Sequence, residues 1–262
     1  MKEFLAMLLA LMLLLSPAAL AENWVCPRDG SENSGNFCPQ CGISREEALK
    51  ESGAYVQPGD SITFGRYTQT AEGRDITPLE WQVLAVDNGK ALLITRDIID
   101  CLPYHGVYEA ADWEHCLLRS LLNGSFLQVA FTDAEREAIV PTQVDNSPSQ
   151  GYPGYAQDAG NDTMDKVFLL SYQEAWTYFA DNAARKCVPT GFAITRGANF
   201  YNGTNEDYLL DRSGCGWWWL RSPGIDTRYA MYVRYDGNRS SNRVDGTIIG
   251  LRPALWIDLN SL

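Results

Sequence analysis

Histidine is almost absent from this chain, with only His105 and His115 among 262 residues. A histidine-based metal site is thereby set aside, because His115 has no second ligand four residues on. No G-x-S-x-G stretch offers a serine nucleophile beside either ring, so serine-hydrolase chemistry has no anchor. Basic residues are also scarce. Lys and Arg total 21 against 33 Asp and Glu, and a net charge of -12 argues against a nucleic acid partner. There are no heptads, no fixed-period repeat, no EF-hand spacing and no second long apolar run after the first. The cysteine count of seven is odd, so the thiols cannot all pair within one molecule.

That first apolar run sets the expected compartment. Lys2 precedes Phe4 to Leu15, and Ala19-Leu20-Ala21 has the small residues of a signal peptidase site. The run is shorter than the ~20 residues of a membrane span. The chain is therefore expected to be secreted or extracytoplasmic, with a signal peptide over 1–21, a mature start at Glu22 and no span thereafter. Cys26 follows Asn23-Trp24-Val25, so no lipid anchor is expected.

Residues 22–43 hold WVCPRDGSENSGNFCPQCG, in which Cys26 and Asp29 are spaced like Cys38 and Cys41 and each pair is followed by glycine. This looks like a zinc ribbon with one ligand changed. Cys26, Asp29, Cys38 and Cys41 are the candidate zinc ligands, since a carboxylate can close a tetrahedral shell, with weaker affinity than a thiolate. A metal-free relic with a Cys38 to Cys41 disulfide is the alternative, and a redox motif at Cys38-Pro-Gln-Cys41 is a third. Residues 44–58 read as a linker containing a short helix capped by Ser44 and Glu47.

The remaining 59–262 alternate short strands with few helices, which indicates an α+β domain. Ile62 to Tyr67, Leu79 to Val86 and Ala91 to Ile94 form an expected three-stranded antiparallel start, with a hairpin at Asn88-Gly89. Helices are expected from Asp112 to Leu122, from Asp133 to Val140 behind a Thr132/Glu135 capping box, and from Ser171 to about Arg185 with Ser171 and Glu174 at its cap. Residues 142–163 read as a long surface loop, Lys166 to Leu170 as a strand, and Ile248 to Ile257 as a returning strand interrupted by Arg252 and Pro253. Trp217, Trp218 and Trp219 are expected to anchor the core. From 229 to 236 the residues alternate, which places Tyr229, Met231, Val233 and Tyr235 on the inward face and Ala230, Tyr232, Arg234 and Asp236 on the outward one. Arg221 and Arg252 sit in apolar strands and should pair with carboxylates or backbone carbonyls.

The segments Glu80-Trp-Gln-Val-Leu84, Trp113 to Arg119, Asp165 to Ser171, Trp218-Trp-Leu-Arg-Ser-Pro-Gly224 and Arg252-Pro-Ala-Leu-Trp-Ile257 resemble an uncharacterised family of secreted bacterial domains of unknown function. More distantly, the tryptophan-rich strand and Gly250-Leu-Arg-Pro are similar to the end of C-type-lectin-like domains of the formylglycine-generating-enzyme kind. The second resemblance implies a C-type-lectin-like fold and, as in diversity-generating retroelement proteins, a display surface near the carboxyl end. It would also imply a copper-binding cysteine pair. Cys101, Cys116, Cys187 and Cys215 are scattered, however, and structural disulfides are preferred to catalysis, with buried free thiols as the alternative.

The expectation is a non-catalytic module that recognises an extracellular protein or glycan through a Tyr/Asn-rich surface. Candidate ligand-binding residues are Asn199, Tyr201, Asn202, Tyr208, Tyr232, Arg234, Tyr235, Asn238, Arg239 and Asn242. A glycan or cell-wall hydrolase using two of Glu80, Asp112 and Glu114 is the alternative from a different class, and a structural envelope protein is the third.

Overall fold

The computed structural model describes residues 24–52, 56–156, 158–201 and 214–261. Two compact units meet in sequence between Tyr55 and Val56.

In the first unit, β1 (Trp24–Val25) pairs antiparallel with β2 (Glu32–Asn33), and α1 spans Arg45–Ser52. Ser44 and Glu47 cap α1 reciprocally: the Glu47 amide donates to Ser44 Oγ at 3.1 Å and the Ser44 amide donates to Glu47 Oε2 at 3.1 Å. Expected as part of a spacer, this helix buries Ala48 in a small cluster with Trp24, Cys26, Cys38 and Ile43.

The larger unit opens with β3 (Ser61–Tyr67), β4 (Thr77–Asp87) and β5 (Lys90–Thr95), all antiparallel. Asn88 and Gly89 both take positive φ, at 47° and 73°, as a tight two-residue hairpin requires. Then follow β6 (Asp100–Cys101), α2 (Leu117–Leu121), a π-helical turn (Leu122–Phe126), α3 (Leu127–Ala130) and α4 (Asp133–Ala138). Next are β7 (Thr142–Val144), β8 (Thr163–Asp165), α5 (Tyr172–Tyr178), α6 (Asn182–Arg185) and α7 (Gly191–Thr195). The carboxyl-terminal part holds β9 (Trp218–Pro223), β10 (Tyr229–Val233), β11 (Arg239–Arg243), β12 (Gly250–Leu251) and β13 (Ala254–Asp258). Mixed sheets with short helices make the unit α+β.

Two sheets carry the unit, ordered β13-β5-β4-β3 and β11-β10-β9-β12-β6. The stretch from Ile248 to Ile257 is not one strand. Arg252-Pro253 divides it: β12 runs parallel to β9 in one sheet, and β13 pairs with β5 in the other. Proline has no N–H to continue a ladder, and its carbonyl instead accepts from the Thr95 amide at 3.0 Å. Arg252 is buried at this corner, where it donates from Nε to the Thr95 carbonyl at 2.9 Å and stacks over Trp218 and Phe179.

Other expectations are corrected by longer-range partners. The helix expected from Asp112 begins only at Leu117, with the Cys116 thiol accepting from the Arg119 amide. Asp112 instead closes a turn by accepting from the His115 amide at 2.8 Å, and Trp113 reaches out of that turn to donate to Asp165 Oδ2 at 2.9 Å. The expected loop over 142–163 contains the β7–β8 pair, with Val144 and Asn146 buried. The strand expected over 166–170 makes only an isolated bridge, Phe168 to Ala254. α5 has the expected Ser171/Glu174 capping box but ends at Tyr178, because Phe179 turns extended and Asp181 caps a separate α6. All seven cysteines are free thiols, so the disulfides expected among Cys101, Cys116, Cys187 and Cys215 are absent. Their thiols bond locally or are buried. Cys101, for example, donates to the Thr247 and Ile249 carbonyls just before β12.

Candidate metal centre and recognition surface

Two turns of the first unit have the same construction. The Gly30 amide donates to the Cys26 carbonyl and the Gly42 amide to the Cys38 carbonyl, each at 2.9 Å. Each glycine sits at positive φ, 73° and 74°, where a side chain would be strained. Each turn then returns one residue later: the Cys26 amide donates to the Ser31 carbonyl at 2.9 Å and the Cys38 amide to the Ile43 carbonyl at 2.8 Å. Asp29 thus occupies in the first turn the position that Cys41 occupies in the second.

The ligand atoms of Cys26, Asp29, Cys38 and Cys41 all lie within 4.8 Å of one another. Cys26 Sγ is 3.5 Å from Cys41 Sγ, and Cys38 Sγ is 3.2 Å from Asp29 Oδ2. A tetrahedral ion with metal–sulfur bonds of ~2.3 Å holds its sulfurs about 3.8 Å apart, so the spacing fits one metal ion. Cys26 and Cys38 are buried, and Asp29 and Cys41 are exposed. Hydrogen bonds from the Ser31 hydroxyl and amide hold the Asp29 carboxyl well below the usual carboxylate range. Burial opposes ionisation of Cys38, but hydrogen bonds from Ser31 and from the Cys41 and Gln40 amides outweigh it and lower that thiol. Both shifts favour the charged forms that ligate metal, whereas Cys41 is pushed up to about 11: the Ile43 amide lowers it, but burial and the Cys26, Cys38 and Asp29 side chains outweigh that bond.

In the larger unit, an aromatic series leads from the core to the surface. Trp219 is fully buried and lies 6.3 Å, ring to ring, from half-buried Tyr232. Tyr232 lies 6.2 Å from Trp217, and Trp217 lies 6.4 Å from Tyr235. Tyr235 stacks on Tyr201 with centroids 5.0 Å apart and planes 16° from parallel. The Arg234 guanidinium approaches the Tyr235 ring at 5.5 Å and lies 3.5 Å from Asp236. Trp217 Nε1 is buried and makes no hydrogen bond with any described residue.

Pairing register divides the candidate residues. Ser240 pairs with Tyr232 and Asn242 with Ala230, so both share the Tyr232 side of the sheet, because directly opposed residues point the same way. Arg239 pairs with buried Val233 and so belongs to the other side, where its guanidinium lies 3.6 Å above the Tyr152 ring. The expected single face is therefore two. Ala230, expected outward, is buried because it pairs with Pro223 across a register shift in β9. Asn238 is exposed at the hairpin turn and Asn199 is exposed beside Ile248, whose carbonyl accepts the Asn199 amide. Asn202 and Tyr208 lie outside the described residues.

Trp217 was expected as a core anchor only, and its share in the surface group was not readable from its position in a run of three. A second aromatic row, Tyr155, Tyr152, Tyr172 and Trp176, was also missed, because its members come from two elements and show no period.

The hydrolase candidates are engaged elsewhere. Glu80 pairs with Arg96, Glu114 accepts from Asn161, and Asp112 bonds His115. Asp112, Glu114 and His115 do converge within 4.8 Å. The Asp112 hydrogen bond raises His115, while the Asn161 bonds lower Glu114. Asp226, Asp236 and Asp245 each face an arginine two residues away rather than one another. Among the described residues no helix is long and apolar enough to cross a membrane.

Residues 88–259 match the family described as a domain of unknown function (DUF6273), and the chain belongs to that family. No curated protein and no solved structure matches the chain.

Proposed function

We propose that this member of the DUF6273 family is a secreted, non-catalytic binding module, released by cleavage after residue 21, that recognises an extracellular ligand. The stacked Tyr201 and Tyr235 rings, backed by Trp217 and Tyr232, carry the reading. Rigid amphipathic rings offer contact area at low entropic cost. Of the two ligand classes, protein and glycan, a glycan is favoured by the neutral polar groups on the Tyr232 side of the sheet, Ser240 and Asn242. In this reading 59–262 is a C-type-lectin-like domain, 44–58 a linker, and 22–43 a ribbon holding structural zinc through Cys26, Asp29, Cys38 and Cys41. Nucleic acid is not a partner, given the acidic charge.

The test is a screen of the metal-loaded mature chain on an array of cell-surface and cell-wall oligosaccharides, followed by calorimetry on each hit. Tyr235→Ala should weaken binding by tenfold or more, as loss of an anchor worth about 2 kcal/mol would. No hit, or a hit indifferent to Tyr235 and Tyr201, rejects the glycan reading.

A further inference from the structure

Four asparagines stand two residues before a serine or threonine: Asn123-Gly-Ser125, Asn161-Asp-Thr163, Asn202-Gly-Thr204 and Asn238-Arg-Ser240. N-x-S/T without proline at x is the acceptor of N-linked glycans, and transfer needs both the asparagine amide and the hydroxyl two residues on. The fold treats these triads differently, and Asn202 lies outside the described residues. Asn123 is held in the π-helical turn: Nδ2 donates to the Val167 carbonyl at 2.8 Å and the Arg119 carbonyl at 3.2 Å, and Oδ1 accepts from the Lys166 amide at 2.8 Å. Asn161 is exposed, but its Nδ2 donates to Glu114 Oε2 at 2.8 Å. Its partner Thr163 is buried, with the hydroxyl donating to Asp165 Oδ2 at 2.7 Å. Asn238 is exposed at the β10 to β11 hairpin, where Oδ1 accepts from the adjacent Arg239 amide at 2.9 Å and Nδ2 donates to no described residue. Ser240 is half-buried, and its hydroxyl likewise bonds no described residue.

We infer that Asn238 is a site of N-linked glycosylation on the folded chain, with a lipid-pyrophosphate-linked oligosaccharide as donor. In the transfer, Asn238 Nδ2 bonds to the anomeric carbon of the first sugar and the bond from that carbon to the pyrophosphate oxygen breaks. The lipid pyrophosphate leaves with the electron pair, and one amide proton passes to a base of the transferase. Freeing Asn123 would strand two carbonyls and an amide, and freeing Asn161 would take a donor from Glu114, whereas Asn238 gives up no protein bond at Nδ2. Asp236 stands two residues before Asn238, where the other triads have Leu121, Ala159 and Phe200. A transferase that reads an acidic residue there takes Asn238 alone. β11 is an outer strand of its sheet, so a bulky, solubilising group at its start guards that edge against strand addition. The inference rests on the secreted reading above, since transfer of this kind occurs outside the cytoplasm.

The test incubates the folded, metal-loaded mature chain with its lipid-linked donor and a purified oligosaccharyltransferase that reads only N-x-S/T. Tryptic peptides are then mapped by mass spectrometry, which separates Asn238 from Asn202. Peptide 235–239 should gain the mass of the donor glycan, while the peptides holding Asn123 and Asn161 stay unshifted. As free synthetic peptides all three should be modified, because the fold makes the choice. Ser240→Ala should lose the shift and Ser240→Thr should keep it. With a transferase that also needs the acidic residue, Asp236→Ala should lose it too. An unshifted Asn238 in the folded chain overturns the inference, as does equal occupancy of Asn123 or Asn161. Both are read in the unsubstituted protein, so they decide even where a variant fails to fold. Secretion is checked apart, by whether the chain recovered outside the cell starts at Glu22.

Discussion

The two units hold polar groups at their centres for opposite reasons. In the first, Cys26, Asp29, Cys38 and Cys41 gather around a point, and the apolar cluster beside them amounts to Trp24, Ile43, Ala48 and two of the same cysteines. In the second, Arg221 sits 1% exposed inside an extensive apolar core that includes Trp81, Trp113, Trp218 and Trp219. The ligand cluster replaces a core, whereas Arg221 is held by one. A unit with so small an apolar cluster rarely folds without a metal or disulfides, and here no disulfide forms. The first unit should then depend on its ion, and the second should not.

The largest effect expected is therefore chelation of the metal. A structural zinc contributes about 10–16 kcal/mol to folding a small site at neutral pH. Its removal should collapse the amide dispersion of residues 24–52 and open Cys26 and Cys38 to alkylation, with the melting of the larger unit unchanged. Hydrogen exchange with mass spectrometry on both units reads this directly. Protection of the first unit that survives chelation would break the contrast.

Arg221 provides the matching test in the larger unit. Its guanidinium donates to both Glu174 oxygens, to the Leu169 carbonyl at 2.8 Å, to the Asp145 carbonyl at 2.9 Å and to Asn146 Oδ1 at 3.2 Å. Glu174 is also the α5 capping partner, accepting from the Ser171 amide at 2.8 Å. Arg221→Ala strands a carboxylate and two carbonyls, and should cost about 3–5 kcal/mol in denaturant unfolding. Arg221→Lys should recover little, because a point charge cannot reproduce the planar fork. A loss below ~1 kcal/mol would mean that the apolar core alone holds this region.

What the sequence disclosed follows the reach of each interaction. The doubled C-P-x-x-G turns, the Asn88-Gly89 hairpin and the capping boxes at Thr132/Glu135 and Ser171/Glu174 are settled within a few residues and were legible. β7 and β8 were not, because they are three residues long and mostly polar, and Asn146 beside them is buried by Arg221, 75 residues away. The division at Arg252-Pro253 depends on which sheets stand on either side, which no local period records. The candidate binding residues are close in sequence, but register decides their faces: Tyr232 and Arg239 are seven apart and lie on opposite sides. Asp236-Gly237 has the residue types of a tight turn, which the sequence alone shows. That Gly237 must also clear the Asn182 carbonyl, which an added Cβ would approach to 1.7 Å, is not readable there.

The smallest effect sharpens the comparison at one pair of carboxylates. Asp29 and Asp75 are both lowered by a neighbouring hydroxyl and amide, from Ser31 in one case and Thr70 in the other. Asp29 faces three cysteines, whereas Asp75 only ties its loop, through the Thr70 hydroxyl at 2.7 Å and amide at 3.0 Å and the Gln69 amide. The Thr70 hydroxyl is the main cause that brings Asp75 down to about 2, against about 3.9 for an unfolded chain. A depressed folded value means stability that is present above pH ~4 and lost as pH falls through the window from about 4 to 2. In that window the Thr70 amide should lose its exchange protection, while Asp75→Asn should show the weaker protection at every pH. The carboxyl carbon shift of Asp75, followed by NMR, should titrate near 2. A midpoint near 4 would show that the loop's hydrogen bonds are not held in solution, leaving Asp29 as the only carboxylate of the pair with a preorganised role.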